Sequence, residues 1–239
     1  MERKKVAIAE QFNRITGTVF SSTKTFTKIN SKPTWLIAYL TIGTGAILIG
    51  SLISPFIIQA QIVSMPSDMS LQQIENALKF MKRYQTIGIA LSPLLLMLKF
   101  LIISAVLWLI VQLFTEVDLK RIFSVVVHCG VITFLGSILS FLILRLRGLH
   151  SIKSAADVQV SLGLDIFLRN SDLDLPLKAV LSNINVFWIW WIVLISLGIS
   201  ITANISRTKS TVIVIFFWLF STAIQVGIAS LIGPLGKIG

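Results

Sequence analysis

Five long stretches of this chain hold almost nothing but apolar side chains: roughly residues 35–58, 86–114, 122–144, 186–205 and 212–232. A helix rises about 1.5 Å per residue, so about 20 residues cross a hydrocarbon core about 30 Å thick. Each stretch reaches that length. Hydrocarbon offers no partner to a backbone N–H or C=O, so each stretch must satisfy its backbone internally, as a helix. The pattern predicts an all-α integral membrane protein, a bundle of five transmembrane helices with short amphipathic surface helices. Residues 1–34 form one segment and residues 35–239 the membrane domain.

Periodicity also marks the connections. Val6, Ile8, Phe12, Ile15, Val19, Phe20 and Phe26 recur among cations in the tail, which reads as one or two helices lying on the membrane surface, with a partly disordered tail as the alternative. In the first long connection Ser70-Leu71-Gln72-Gln73 fits a capping box, followed by Leu71, Ile74, Leu78 and Met81 at helical spacing. This predicts a surface helix leading into the second span. Ser92-Pro93 then reads as an N-cap with proline at the first helical position, so the membrane helix itself would start at Pro93. In the second long connection Val158, Val160, Leu162, Leu164, Ile166 and Leu168 alternate as a strand would, and residues 151–175 stay open between strand and helix. Beyond them Pro176 opens a short helix carrying Leu177, Val180, Leu181 and Ile184.

A hydrophobic content of 55% and a mean hydropathy of +0.87 exclude an ordinary soluble domain and leave no room for a separate catalytic one. The net charge of +11 would point to nucleic acid in a soluble protein. Here the cations flank spans and meet anionic headgroups, so the partner is the lipid bilayer and no nucleic acid is expected. Arg3, Lys4, Lys5, Arg14, Lys24, Lys28 and Lys32 place the N-terminal segment in the cytoplasm by the positive-inside rule. Five spans then put the C-terminus outside a cell membrane. The tail lacks the apolar core of a cleavable signal peptide, so the first span serves as a signal anchor. Cys129 is the single cysteine, which excludes an intrachain disulfide.

Inside the spans a few positions depart from plain apolar character. Ala46, Gly50 and Ser54 share a face that would let another helix approach closely. Ser196, Ser200 and Asn204 stripe the fourth span, Ser221 and Gln225 the fifth; the stripes would bond across that pair or line a polar path. Trp188, Trp190 and Trp191 crowd the outer end of the fourth span as an aromatic belt or a binding patch. Lys99 is the one charge well inside a span, a mechanistic group or a side chain that snorkels from a helix starting at Pro93. His128 reads as a hydrogen-bonded core histidine, too far along the chain from His150 to share a metal with it.

No metal-ligand spacing, nucleotide loop or nucleophile elbow occurs, so no cofactor and no catalytic set is expected. The chain does resemble the Yip family, membrane proteins named for interacting with Ypt/Rab GTPases, and its bacterial branch in particular. Three segments carry the resemblance: FNRITGTVFSSTKTFTKINSKPTW into the first span, LWLIVQLFTEVDLKRIFSVVVHCGVITFLGSIL across the second and third, and LSNINVFWIWWIVLISLGISITANISRTKSTVIV across the fourth and fifth. In the last, Asn185, Phe187 and Trp190 enter a span that ends in a basic turn. The resemblance implies five membrane helices, a cytoplasmic N-terminus and no catalytic residues. It implies an accessory or scaffolding partner of other integral membrane proteins such as an ABC-type exporter, with room for a homo-oligomer. The alternative from the residues themselves is a small transporter or channel using Lys99 and the polar faces. A third reading, a lipid-modifying enzyme, would need His128, Cys129 and Glu116 to gather.

Overall fold

Every apolar stretch is a helix in the computed structural model, which describes residues 2–168 and 175–235. Eight α-helices follow one another: α1 (Glu2–Phe20), α2 (Ser22–Ser31), α3 (Leu36–Val63), α4 (Leu71–Gln112), α5 (Leu119–Arg147), α6 (Leu175–Asn183), α7 (Val186–Ala203) and α8 (Arg207–Leu235). The helices α3, α4, α5, α7 and α8 are long and apolar enough to cross a membrane. No strand occurs among the described residues. The alternating segment instead makes short 3-10 turns at Leu149–Ser151, Ala155–Val158 and Leu164–Leu168, with one isolated bridge between Gly163 and Asn185. Residues 169–174 lie outside the described residues.

Two expectations about the second span are corrected. The capping box forms as read: Ser70 N donates to Gln73 Oε1 at 2.8 Å and Gln73 N to Ser70 Oγ at 3.3 Å. Yet the helix it starts runs on without a break through Pro93 for 42 residues, so surface helix and span are one element. Nor does the membrane helix start at Pro93. A proline inside a helix strands the carbonyl four residues back. Ser92 Oγ donates to that carbonyl, Ile89 O, at 2.8 Å. In a bilayer such side-chain repair costs less than exposing the ends of a broken helix.

The described residues form two compact units. One comprises residues 41–98 and 134–160. Here α3 and α4 run antiparallel: a Cβ on Gly43 would lie 3.5 Å from Pro93 Cβ, one on Gly50 3.4 Å from Ile89 Cγ1, and Gln85 Nε2 donates to Ser54 O at 3.3 Å. Two of the predicted small-residue positions, Gly50 and Ser54, therefore face α4. Gly45 lies under the Phe134 ring of α5, where any Cβ would overlap it. Phe56, Ala60, Leu144 and Ile152 close a small core, and Val158 and Val160 pack on it.

The other unit comprises residues 1–40, 99–133 and 161–239. Its core is the first half of α5, buried from Ile122 to Ile132, with α7 and α2 around it. Gly198 of α7 sits against Val125 of α5 and Phe26 of α2, so closely that a Cβ would overlap Val125. Phe26 and Ile29 are fully buried. The apolar face of α2 thus closes on protein, which corrects the expectation that it lies on lipid. Asn185 caps α7, its Oδ1 accepting from Trp188 N at 2.9 Å, and Asn204 ends it in the left-handed conformation at φ 51°.

Candidate functional site

The tail folds as a helical hairpin around one arginine. Chain direction reverses at Ser21, and Gly17 lets Thr25 of the returning helix approach so closely that a Cβ on Gly17 would overlap Thr25 Oγ1. Under this hairpin Arg14 is only 5% exposed. Its Nη1 donates to Lys32 O at 2.9 Å and Thr34 Oγ1 at 3.1 Å, and its Nη2 to Glu10 Oε1 at 3.0 Å. These bonds tie α1 to the residues just before α3. The hydrogen bond from Arg14, and then its charge, hold the exposed Glu10 carboxyl below its ordinary range. Nearby, Arg121 Nη1 of α5 donates to Asn30 Oδ1 at 3.2 Å, pinning the end of α2.

One Arg14 donor has no acceptor. Its Nε is shielded from solvent and makes no hydrogen bond. A buried donor left unpaired costs about 1–3 kcal/mol. Beside it lies a cavity of about 290 Å³, walled by Asn13, Thr16, Phe20, Ser21, Lys24 and Lys28 together with Arg14 and Glu10. Ser21, the N-cap of α2, makes no side-chain capping bond.

The second unusual group is Lys99. Phe100, Ser104, Leu107 and Val111 form the buried stripe of α4. At about 100° per residue, Ile102, Val106, Leu109 and Leu113 fall on the opposite face. Ile102, Leu109 and Leu113 are exposed, and so is Lys99 beside them. The apolar stretch 86–114 has its midpoint at Phe100, one residue away. About 20 Å of helix separates Lys99 from either end of that stretch, which leaves snorkelling without the nearby helix start it required. Among the described residues no ion pair or hydrogen bond reaches its ammonium.

The remaining predicted positions are scattered. Ser196 Oγ donates to Ile192 O at 2.7 Å and Ser200 Oγ to Ile205 O at 2.7 Å, both along their own chain segment. The α7–α8 bond is made by another residue, Ser210, whose Oγ donates to Ser196 O at 2.6 Å. Gln225 Oε1 accepts from Asn183 Nδ2 of α6 at 3.3 Å, and the exposed Asn204 serves as a cap. The two stripes therefore do not bond to each other as expected. Trp191 is buried, edge-on to Trp188 at 5.4 Å and beside Phe217 of α8 at 6.4 Å, and so belongs to the core and not to a belt. Trp188 and Trp190 are half-buried, as is Ala46.

His128 is buried and its Nδ1 donates to Ser124 O at 2.8 Å. Cys129 is buried and free, whereas Glu116 is exposed. No group of three metal-ligating side chains exists among the described residues. Sequence reasoning missed the Arg14 network: Glu10 at i−4 is its one local mark, and its other two acceptors lie 18 and 20 residues away.

A family model described as "Yip1 domain" matches residues 16–228 of the chain. No curated protein and no solved structure matches it.

Proposed function

The chain belongs to the Yip1 domain family and is a multi-pass membrane protein, and on that premise we propose that it is a non-enzymatic accessory subunit of other integral membrane proteins. In this reading it falls in the bacterial branch of the family and sits in the cell membrane with its N-terminus cytoplasmic and its C-terminus outside. Residues 1–34 form its cytoplasmic segment and residues 35–239 its membrane domain. The observation that carries the proposal is Lys99, exposed at mid-span with no partner. An ammonium at that depth is costly, by about 2.5–3.5 kcal/mol on insertion scales, unless a counter-charge meets it. The five apolar stretches contain no Asp or Glu, so a second copy cannot supply one from its spans. The fitting partner is a transmembrane helix of another protein with a mid-span carboxylate, packed along Ile102, Val106 and Leu109. An ABC-type exporter subunit is the class the family resemblance favours.

Mild-detergent capture comparing the native protein with Lys99→Met tests this. The variant should fold at least as well, since it removes the unpaired charge, yet bind the partner at least about thirtyfold more weakly, as loss of one desolvated charge pair implies. Equal recovery by both proteins, or recovery of nothing but the chain itself, overturns the proposal. A transport role needs Lys99 turned inward among polar groups, and its exposed position favours docking instead.

A further inference from the structure

We propose that the cavity between α1 and α2 binds a phosphomonoester, gripped by Arg14, Lys24 and Lys28 with the hydroxyl of Ser21. Three observations converge on an anion of this kind. First, Arg14 forms part of the cavity wall, is 5% exposed, and keeps an Nε–H without an acceptor. A guanidinium offers paired donors in a plane that suits phosphate oxygens, and a buried arginine edge with one donor vacant is half of such a fork. Second, α2 begins at the cavity with Ser21 uncapped, so the positive end of a ten-residue helix faces the same space. Third, a negative group already sits there: Glu10 Oε1 on Arg14 Nη2 at 3.0 Å.

Glu10 acts as the resident stand-in for the ligand. Its side chain is half-exposed, so it can swing away and leave Nη2 to a phosphate oxygen. With Glu10 in place, Arg14, Lys24 and Lys28 leave the cavity wall two positive charges in excess. A phosphomonoester carries about −1.5 to −2 at pH 7 and so more than replaces the Glu10 charge it displaces; a zwitterionic phosphodiester headgroup brings no net charge to replace it. The cavity also suits a lipid source. Arg14 is bonded to Lys32 and Thr34, just before α3 enters its apolar stretch at Leu36, and Phe20 on the cavity wall is 84% exposed. A phosphate at this level would sit where headgroups lie, with an apolar ring beside its ester chain.

The test uses the full-length protein in phosphatidylcholine nanodiscs, with two arms. In one, phosphatidic acid is added and lipid retention is read by native mass spectrometry. In the other, inorganic phosphate is titrated and protection of α1 from hydrogen exchange is read. Binding in the first arm alone assigns the ligand to a lipid headgroup, in the second alone to free phosphate, and in both to the phosphate group itself. In each binding arm Lys24→Gln with Lys28→Gln should weaken the interaction about tenfold, because two charge-assisted contacts are lost. Both lysines are exposed, so an unchanged thermal unfolding curve confirms that the fold is intact. Glu10→Gln should tighten it by removing the competing anion. Binding in neither arm, or equal binding by the double variant, overturns the proposal.

Discussion

At Glu10 and Arg14 a pair with the spacing of an ordinary surface ion pair has one member buried and the other in water. That asymmetry gives a pH dependence with a definite sign. The folded-state pKa of Glu10 is lowered from its ordinary value of 4.5, chiefly by the hydrogen bond from Arg14. Its contribution is therefore complete above the unfolded value and is lost as pH falls through the lower folded value. The protection of the α1 amides, taken relative to intrinsic exchange at each pH, should stay constant from neutral pH down to the ordinary carboxylate range and fall below it; in Glu10→Gln this acid-induced step should vanish. Persistence of the step in the variant would assign it to another carboxylate. Of the residue-scale features, the capping box was legible because Ser70 and Gln73 are three positions apart and need only each other. Of the Arg14 network only the Glu10 pair had a local spacing to read; its other acceptors are a backbone carbonyl and a threonine that only folding of the hairpin delivers. Lys99 was legible as an anomaly, while the side of α4 it occupies depends on which stripe the rest of the unit buries.

At the scale of elements, apolar length was decisive for the five long helices, and local rules failed where the surroundings overrode them. In water, Ser-Pro commonly opens a helix; in hydrocarbon, Ser92 mends the helix that Pro93 would interrupt. Strand-like alternation at residues 158–168 likewise had no sheet to join, so Val158 and Val160 serve the small core of Phe56, Ala60, Leu144 and Ile152. Close helix contact rests on single glycines whose importance no periodicity announces. Gly45 under Phe134 is the sharpest case within its unit. Gly45→Ala forces the ring aside and should cost about 1–3 kcal/mol, the usual range for overpacking. The double variant with Phe134→Leu should recover much of that loss. Urea or thermal unfolding of the four proteins of this cycle in detergent measures the coupling, and strict additivity would show that the two residues do not meet.

For the molecule as a whole, five helices able to span a membrane would, if all five cross, place the two termini in different compartments. Reporter fusions at each end of the chain should accordingly give opposite signals, with the N-terminal one cytoplasmic. Matching signals would remove one span or add one. The match to the Yip1 domain covers residues 16–228, from the α1–α2 hairpin into the last span. The two units differ in what sequence could say of them: each holds membrane helices read from hydropathy, but only the one built on residues 1–40, 99–133 and 161–239 carries the buried polar hub and the exposed Lys99. That exposed cation has a bearing on gene dosage. Parallel copies meeting through this stripe would bring like charges together in a medium that screens them poorly. On the proposed reading, raising the protein's own abundance should thus leave the surface vacant, and the cellular effect should titrate with the copy number of the heterologous protein that supplies the opposite charge.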